Sequence, residues 1–166
     1  MAIASRRGVY FCGNRMETQM ADTFVARVSA TINASRAKVW DGLVDPETMK
    51  RYMPLTSVAS DWRVSSPIVW KAELEGRSLE IRSTVLCIEP ERRLEYSHSR
   101  PIFRMSGDIP PEDHRVTIEL SDEGAQTRIT VTEQGNTFDR ERAHSEGGLR
   151  LALANMKALM EGTSVG

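Results

Sequence analysis

Residues 24–53, FVARVSATINASRAKVWDGLVDPETMKRYM, decide the fold. Phe24, Ala26, Val28, Ala30 and Ile32 alternate with Val25, Arg27, Ser29 and Thr31, the period of a half-buried strand. Ser35 then offers a hydroxyl to open a helix whose apolar face is Val39, Trp40 and Leu43. Asp45 and Pro46 start a second helix, because Asp accepts from the first free backbone N–H groups and Pro is pre-set at the first helical position. Met49, Tyr52 and Met53 form its apolar face, and Pro54 stops it. One strand leading at once into two short helices is an uncommon beginning, and the chain from there to its closing helix is nearly all strand.

Residues 58–62 read as a short strand. Ile68, Trp70, Ala72 and Leu74 alternate next; Gly76 turns the chain, and Leu79, Ile81, Ser83, Val85 and Cys87 alternate beyond it, with Cys87 as a small buried residue. Pro90 turns again into Leu94, Tyr96 and His98. Residues 100–113 hold Pro101, Gly107, Pro110 and Pro111, the composition of a long loop that acts as a rim or lid. Val116, Ile118 and Leu120 alternate, residues 121–124 turn, and Ile129 and Val131 return. Short strands with tight turns imply an antiparallel sheet. Asn136 or Thr137 caps a closing helix with Leu149, Ala152, Leu153, Met156, Leu159 and Met160 on one face. Gly147 and Gly148 interrupt it, at about 1 kcal/mol each against alanine, so a kink or break is expected there. The expected class is α+β, with the sheet and the long C-terminal helix in separate layers and an apolar cavity between them.

The chain of 166 residues is long enough for one core, expected over residues 22–162. Residues 1–21 show no sustained period and are expected to be a disordered N-terminal segment, with Met16 and Met20 as alternative starts; residues 163–166 are a tail. Twenty-two basic and 23 acidic residues are mixed along the chain, which argues against a nucleic-acid partner or a polybasic membrane contact. No stretch approaches the roughly 20 apolar residues of a membrane span. Two cysteines, Cys12 and Cys87, are too few for a disulfide framework, and the expected setting is a reducing one, the cytoplasm.

Taken together, these segments resemble the domain family named for the activator of the heat-shock-protein-90 ATPase, within the START-related (SRPBCC) superfamily. The resemblance rests on residues 26–30 (ARVSA), 37–43 (AKVWDGL), 61–64 (DWRV), 66–70 (SPIVW), 88–90 (IEP), 93–98 (RLEYSH), 127–131 (TRITV) and the closing run from His144 to Leu159. It implies a helix-grip fold, a curved antiparallel sheet wrapped around the C-terminal helix. It also implies a cavity that in the wider superfamily accepts lipids, sterols, polyketides or other apolar molecules. Two positions depart from the family pattern. Leu149 stands where tryptophan is common, which enlarges the cavity unless the site collapses. Ser65-Ser66 stands where relatives often carry Gly-Ser.

The candidate ligand-binding residues are Trp62, Trp70, Tyr96, His98, Leu149 and Met156. Aromatic rings and thioethers suit an apolar ligand, and the tyrosine hydroxyl or the imidazole would orient it. The bland alternative for each is ordinary core packing. His98, His114 and His144 are 16 and 30 residues apart, without ligand spacing, so no metal site and no cofactor are expected. His98 and His114 flank the long loop; a surface or rim position is expected for them, with a meeting at the loop's mouth as the alternative. Arg82, Arg93 and Arg115 are expected on the solvated face of the sheet.

No nucleophile elbow, dinucleotide-binding or phosphate-binding loop is present. The leading expectation is therefore a domain that binds an apolar or amphipathic small molecule without an assigned reaction. The alternatives are a cavity enzyme of cyclase, dehydratase or hydrolase type using His98, and a co-chaperone-like interaction module. A chaperone or other protein partner and a homodimer stay open.

Overall fold

The computed structural model describes residue 12 and residues 24–98, 114–136 and 138–163. The N-terminal segment, the 100–113 rim and Thr137 fall, apart from Cys12, outside the described residues.

Strand β1 (Ala26–Ile32) leads into helices α1 (Arg36–Val44) and α2 (Pro46–Tyr52). Six strands come next: β2 (Ser57–Ser60), β3 (Pro67–Leu74), β4 (Arg77–Glu89), β5 (Arg93–His98), β6 (His114–Glu123) and β7 (Gln126–Gln134). Helix α3 (Asp139–Glu161) closes the chain. Among the described residues all seven strands join in one antiparallel sheet, ordered β1-β7-β6-β5-β4-β3-β2. β1 and β2 are thus the two edges, and α1 and α2 carry the chain from one to the other.

Local chemistry starts the two short helices where expected. Ser35 accepts from the Lys38 amide at 3.2 Å. Asp45 accepts from the amide of Thr48 at 3.0 Å and from its hydroxyl. Those bonds, the hydroxyl foremost, hold the Asp45 carboxyl below its ordinary value. Residues 58–62 do not all extend: β2 ends at Ser60, and Trp62 takes a left-handed φ of 51°. Ser65 is left-handed too, with φ 70°, a conformation that glycine would adopt without steric cost. The Ser65 amide donates to Val85 O at 2.8 Å, fastening this turn to β4.

Alternation holds along most strands but slips once. In β4, Val85 faces Tyr96 across the sheet and Cys87 faces Glu95, so Leu86 is an extra residue in a β-bulge. The bulge reverses the parity. Ile88 takes the inner position opposite Leu94, and Cys87 turns to the outer face, where it forms a disulfide with Cys12. Cys87 is buried as expected, but in a bond the cysteine count did not suggest. Outward, Arg93 and Arg115 both pair with Glu95, and Arg82 pairs with Glu80, which places all three arginines on the outer face.

α3 runs along the inner face beside β1, and Leu153, Met156 and Met160 are its buried apolar contacts. Its last turns are tied down. Lys157 donates to Thr31 O, Glu161 accepts from the Asn33 amide at 2.9 Å, and Lys38 donates to Met160 O at 2.9 Å. α1 approaches closely: a Cβ at Gly42 would meet Met156 Cε at 3.0 Å and collide with Met160 Cε.

The expected break at Gly147-Gly148 does not occur, and α3 is continuous. Glu146 takes Arg142 at 2.8 Å in the turn before the glycines and Arg150 at 3.4 Å across them. Both glycines have open space where a Cβ would sit, and neither has positive φ. Alanine at both positions should therefore stabilise the protein by about 1–2 kcal/mol in a urea melt. A loss of stability would show that the helix needs its glycines. The expected cap at Asn136 or Thr137 is also corrected. Phe138 is the N-cap without a side-chain bond, and Asn136 is used elsewhere.

Candidate functional site

Most of the inner face is aliphatic: Ile68, Val85, Leu94, Val116, Ile118, Ile129 and Val131 are buried there. Such a face has no need of polar atoms, yet four neighbouring strands each place one at the same end. Ser83 on β4 stands opposite His98 on β5, and His98 stands opposite His114 on β6. Glu133 on β7 completes the row on the diagonal, with its carboxylate 3.2 Å from His114 Nδ1. The row lies where β5 leaves the sheet for the 99–113 segment and β6 re-enters it.

Bonds run along this row and up to the helix. The Trp70 indole donates to Ser83 Oγ at 3.0 Å, and Ser83 Oγ lies 3.4 Å from His98 Nδ1. At the other end the Ser145 hydroxyl of α3 lies 3.0 Å from Glu133 and 3.1 Å from Asn136 Oδ1, and Asn136 donates to Phe24 O at 3.1 Å. His114, Glu133, Ser145 and Asn136 are all buried. His114 Nδ1 is close to the carboxylate but makes no hydrogen bond among the described residues. A buried imidazole in that state retains capacity for a further polar contact.

The aromatic residues flank the row. Trp70 and Tyr96 have ring centroids 5.8 Å apart, and Tyr96 meets His98 edge-on at 6.4 Å. Burial first, and the Glu133 charge second, push the Tyr96 phenol well above its ordinary value, so at neutral pH it is a neutral hydrogen-bond donor. Tyr52 of α2 is raised in the same way by burial and donates to Gly42 O at 2.8 Å.

Of the six residues expected at the site, Trp70, Tyr96 and His98 are brought together on this face. Leu149 lies on α3 one turn after Ser145 and is half-buried against the core. Met156 is two further turns along and only 1% exposed, deep in the core beside Gly42. Trp62 is half-buried on the β2–β3 connection. His98 and His114 meet as direct partners across two strands, and His114 is buried rather than on the surface, because it lies on the inner face of β6. Sequence reasoning missed Glu133 and Ser145. A signal was present for the first: Glu133 continues the inward parity of Thr127, Ile129 and Val131, an acid where the pattern calls for an apolar residue.

Residues 33–161 match the family described as "Activator of Hsp90 ATPase homolog 1-like protein". The chain belongs to this family. A similar solved structure is the protein ChR145 of Cytophaga hutchinsonii, 37% identical, with 83% of this chain and 94% of that one covered and a TM-score of 0.72. The fold is shared with the Aha1 dimer of Colwellia psychrerythraea, at 19% identity, coverage of 82% and 96%, and a TM-score of 0.64. CalU16 of Micromonospora echinospora is also similar in fold, at 21% identity, coverage of 84% and 76%, and a TM-score of 0.64. No curated protein matches the sequence. Membership agrees with the seven-stranded sheet, the two helices after β1 and the C-terminal helix laid on the sheet. No described helix is long and apolar enough to cross a membrane.

Proposed function

We propose that this family member holds one apolar or amphipathic small molecule between the inner face of the sheet and α3, with no reaction attached. The observation that carries this reading is the polar row Ser83–His98–His114–Glu133 on an otherwise aliphatic face. Aliphatic walls supply affinity by burial, while a few fixed polar groups set orientation. Trp70, Tyr96 and His98 supply the aromatic and polar contacts; Trp62 and Leu149 complete the lining, and Met156 belongs to the core behind it. The resemblance implies a tryptophan at Leu149, and the smaller leucine leaves more room on the α3 side of the site.

An environment-sensitive anilinonaphthalene sulfonate probe tests this by fluorescence titration. Tyr96→Phe should weaken the probe about tenfold, the worth of one oriented hydrogen bond. Leu149→Trp should weaken it at least as much by filling the space. Wild-type affinity in both variants would sink the proposal.

A second reading rests on the His114–Glu133 contact. A carboxylate beside one imidazole, with a second imidazole opposite, is a workable general acid–base pair for a cavity enzyme. The Aha1 neighbour makes a homodimer the first partner to test, by light scattering. A cytoplasmic setting belongs to the same proposal; there, thiol reductants would keep Cys12 and Cys87 open as thiols.

A further inference from the structure

On the opposite face of the sheet, three side chains of metal-ligand type converge. Cys12 Sγ, Cys87 Sγ and a carboxylate oxygen of Glu89 all lie within 4.8 Å of one another. The β4 bulge is the cause. It turns Cys87 outward, and Glu89, two residues on in the same strand, shares that face. Cys12 lies across them, with its Cα 5.2 Å from that of Cys87 despite a separation of 75 residues. Motif reading could not find this cluster, because its ligands are remote in sequence.

We infer that Cys12, Cys87 and Glu89 form a zinc-type metal site when the cysteines are reduced, and that oxidation closes it as the disulfide. Two thiolates on one tetrahedral zinc ion sit about 3.8 Å apart, given Zn–S bonds of about 2.3 Å, so the two sulfurs part from bonding distance once the disulfide opens. Thiolates select zinc over magnesium or calcium. The Glu89 carboxylate is the third ligand, and water takes the fourth position. Glu89 also lines an outer groove of about 390 Å³ with Arg92 and Arg93, which gives the ion an approach from solvent. Two thiolates and a carboxylate exceed the zinc charge by one, and Arg93, the strand partner of Glu89, supplies a compensating positive charge.

The redox step balances with a low-molecular-weight thiol as reductant. Two such thiols give up two electrons and two protons and become their own disulfide, while the Cys12–Cys87 bond opens to two thiols. Zinc binding then releases both cysteine protons to solvent.

Cobalt(II), a spectroscopic substitute for zinc, tests the site on the full chain. After reduction and desalting, the protein should take up one cobalt ion with a near-ultraviolet thiolate charge-transfer band, and one equivalent of zinc should abolish that band. The oxidised chain should show none. Cys12→Ser, a change outside the sheet, and Cys87→Ser should both lose the band. Glu89→Gln should keep it but need more metal to reach half-saturation. A reduced wild-type protein without the band would overturn the inference, as would a band surviving in Cys12→Ser.

Discussion

Met156→Ala should lower the free energy of unfolding by about 3 kcal/mol, within the 2–5 kcal/mol range of such deletions. Met156 is only 1% exposed and, with Met160, packs where α3 meets α1, its methyl 3.0 Å from where a Gly42 Cβ would be. Removing the thioether leaves a void against Gly42, which has no side chain to move into it. The helix cannot shift easily to close that void, because Lys157, Glu161 and Lys38 fix its last turns to β1 and α1. A chemical melt measures the cost. A loss below about 1 kcal/mol would mean that the α1–α3 contact is loose. Met156→Leu conserves most of the volume and should cost less than about 1.5 kcal/mol.

Glu133→Ala should destabilise by about 3 kcal/mol. The carboxylate is buried, contacts Ser145 across the sheet–helix interface and lies against His114. Its loss leaves His114 without a facing charge and removes a polar link between β7 and α3. Each stranded buried polar group costs about 1–3 kcal/mol, and the smaller side chain leaves space as well. Glu133→Gln keeps an oxygen able to accept from Ser145, so it should recover at least half of the loss. Equal costs for the two variants would show that the charge, rather than the hydrogen bond, holds this end of α3.

The order of elements was legible in residues 24–53 and in the alternation beyond them because burial on one sheet face imposes a period of two directly on the residues. Three features were not. The Leu86 bulge inserts one residue without changing local composition, so Cys87 read as inward while the register turns it outward. Gly147-Gly148 looked like a break, yet the ion pairs through Glu146 and the burial of Ser145 and Leu153 hold the helix across it. Propensity of about 1 kcal/mol per glycine is outweighed by such contacts. The cap at Asn136 was displaced because its side chain bonds Phe24 and Ser145, a tertiary demand that local capping rules do not contain.

The site was half legible. Trp70, Tyr96 and His98 could be named because aromatic and imidazole residues stand out on an apolar strand face. Their grouping with His114, Glu133 and Ser145 depends on cross-strand register, which pairs residues up to dozens of positions apart. Met156 shows the converse: a residue suited to a pocket by chemistry serves as core by position.

Native mass spectrometry of the purified full chain tests the central reading most directly, with denaturing extraction to identify what is carried. The account predicts a single apolar or amphipathic molecule bound one to one, from the preparation or after incubation with fatty acids, sterols and aromatic polyketides. Tyr96→Phe and Leu149→Trp should lower its occupancy. A chain that stays at its apo mass against all three ligand classes would contradict a ligand site on the inner face.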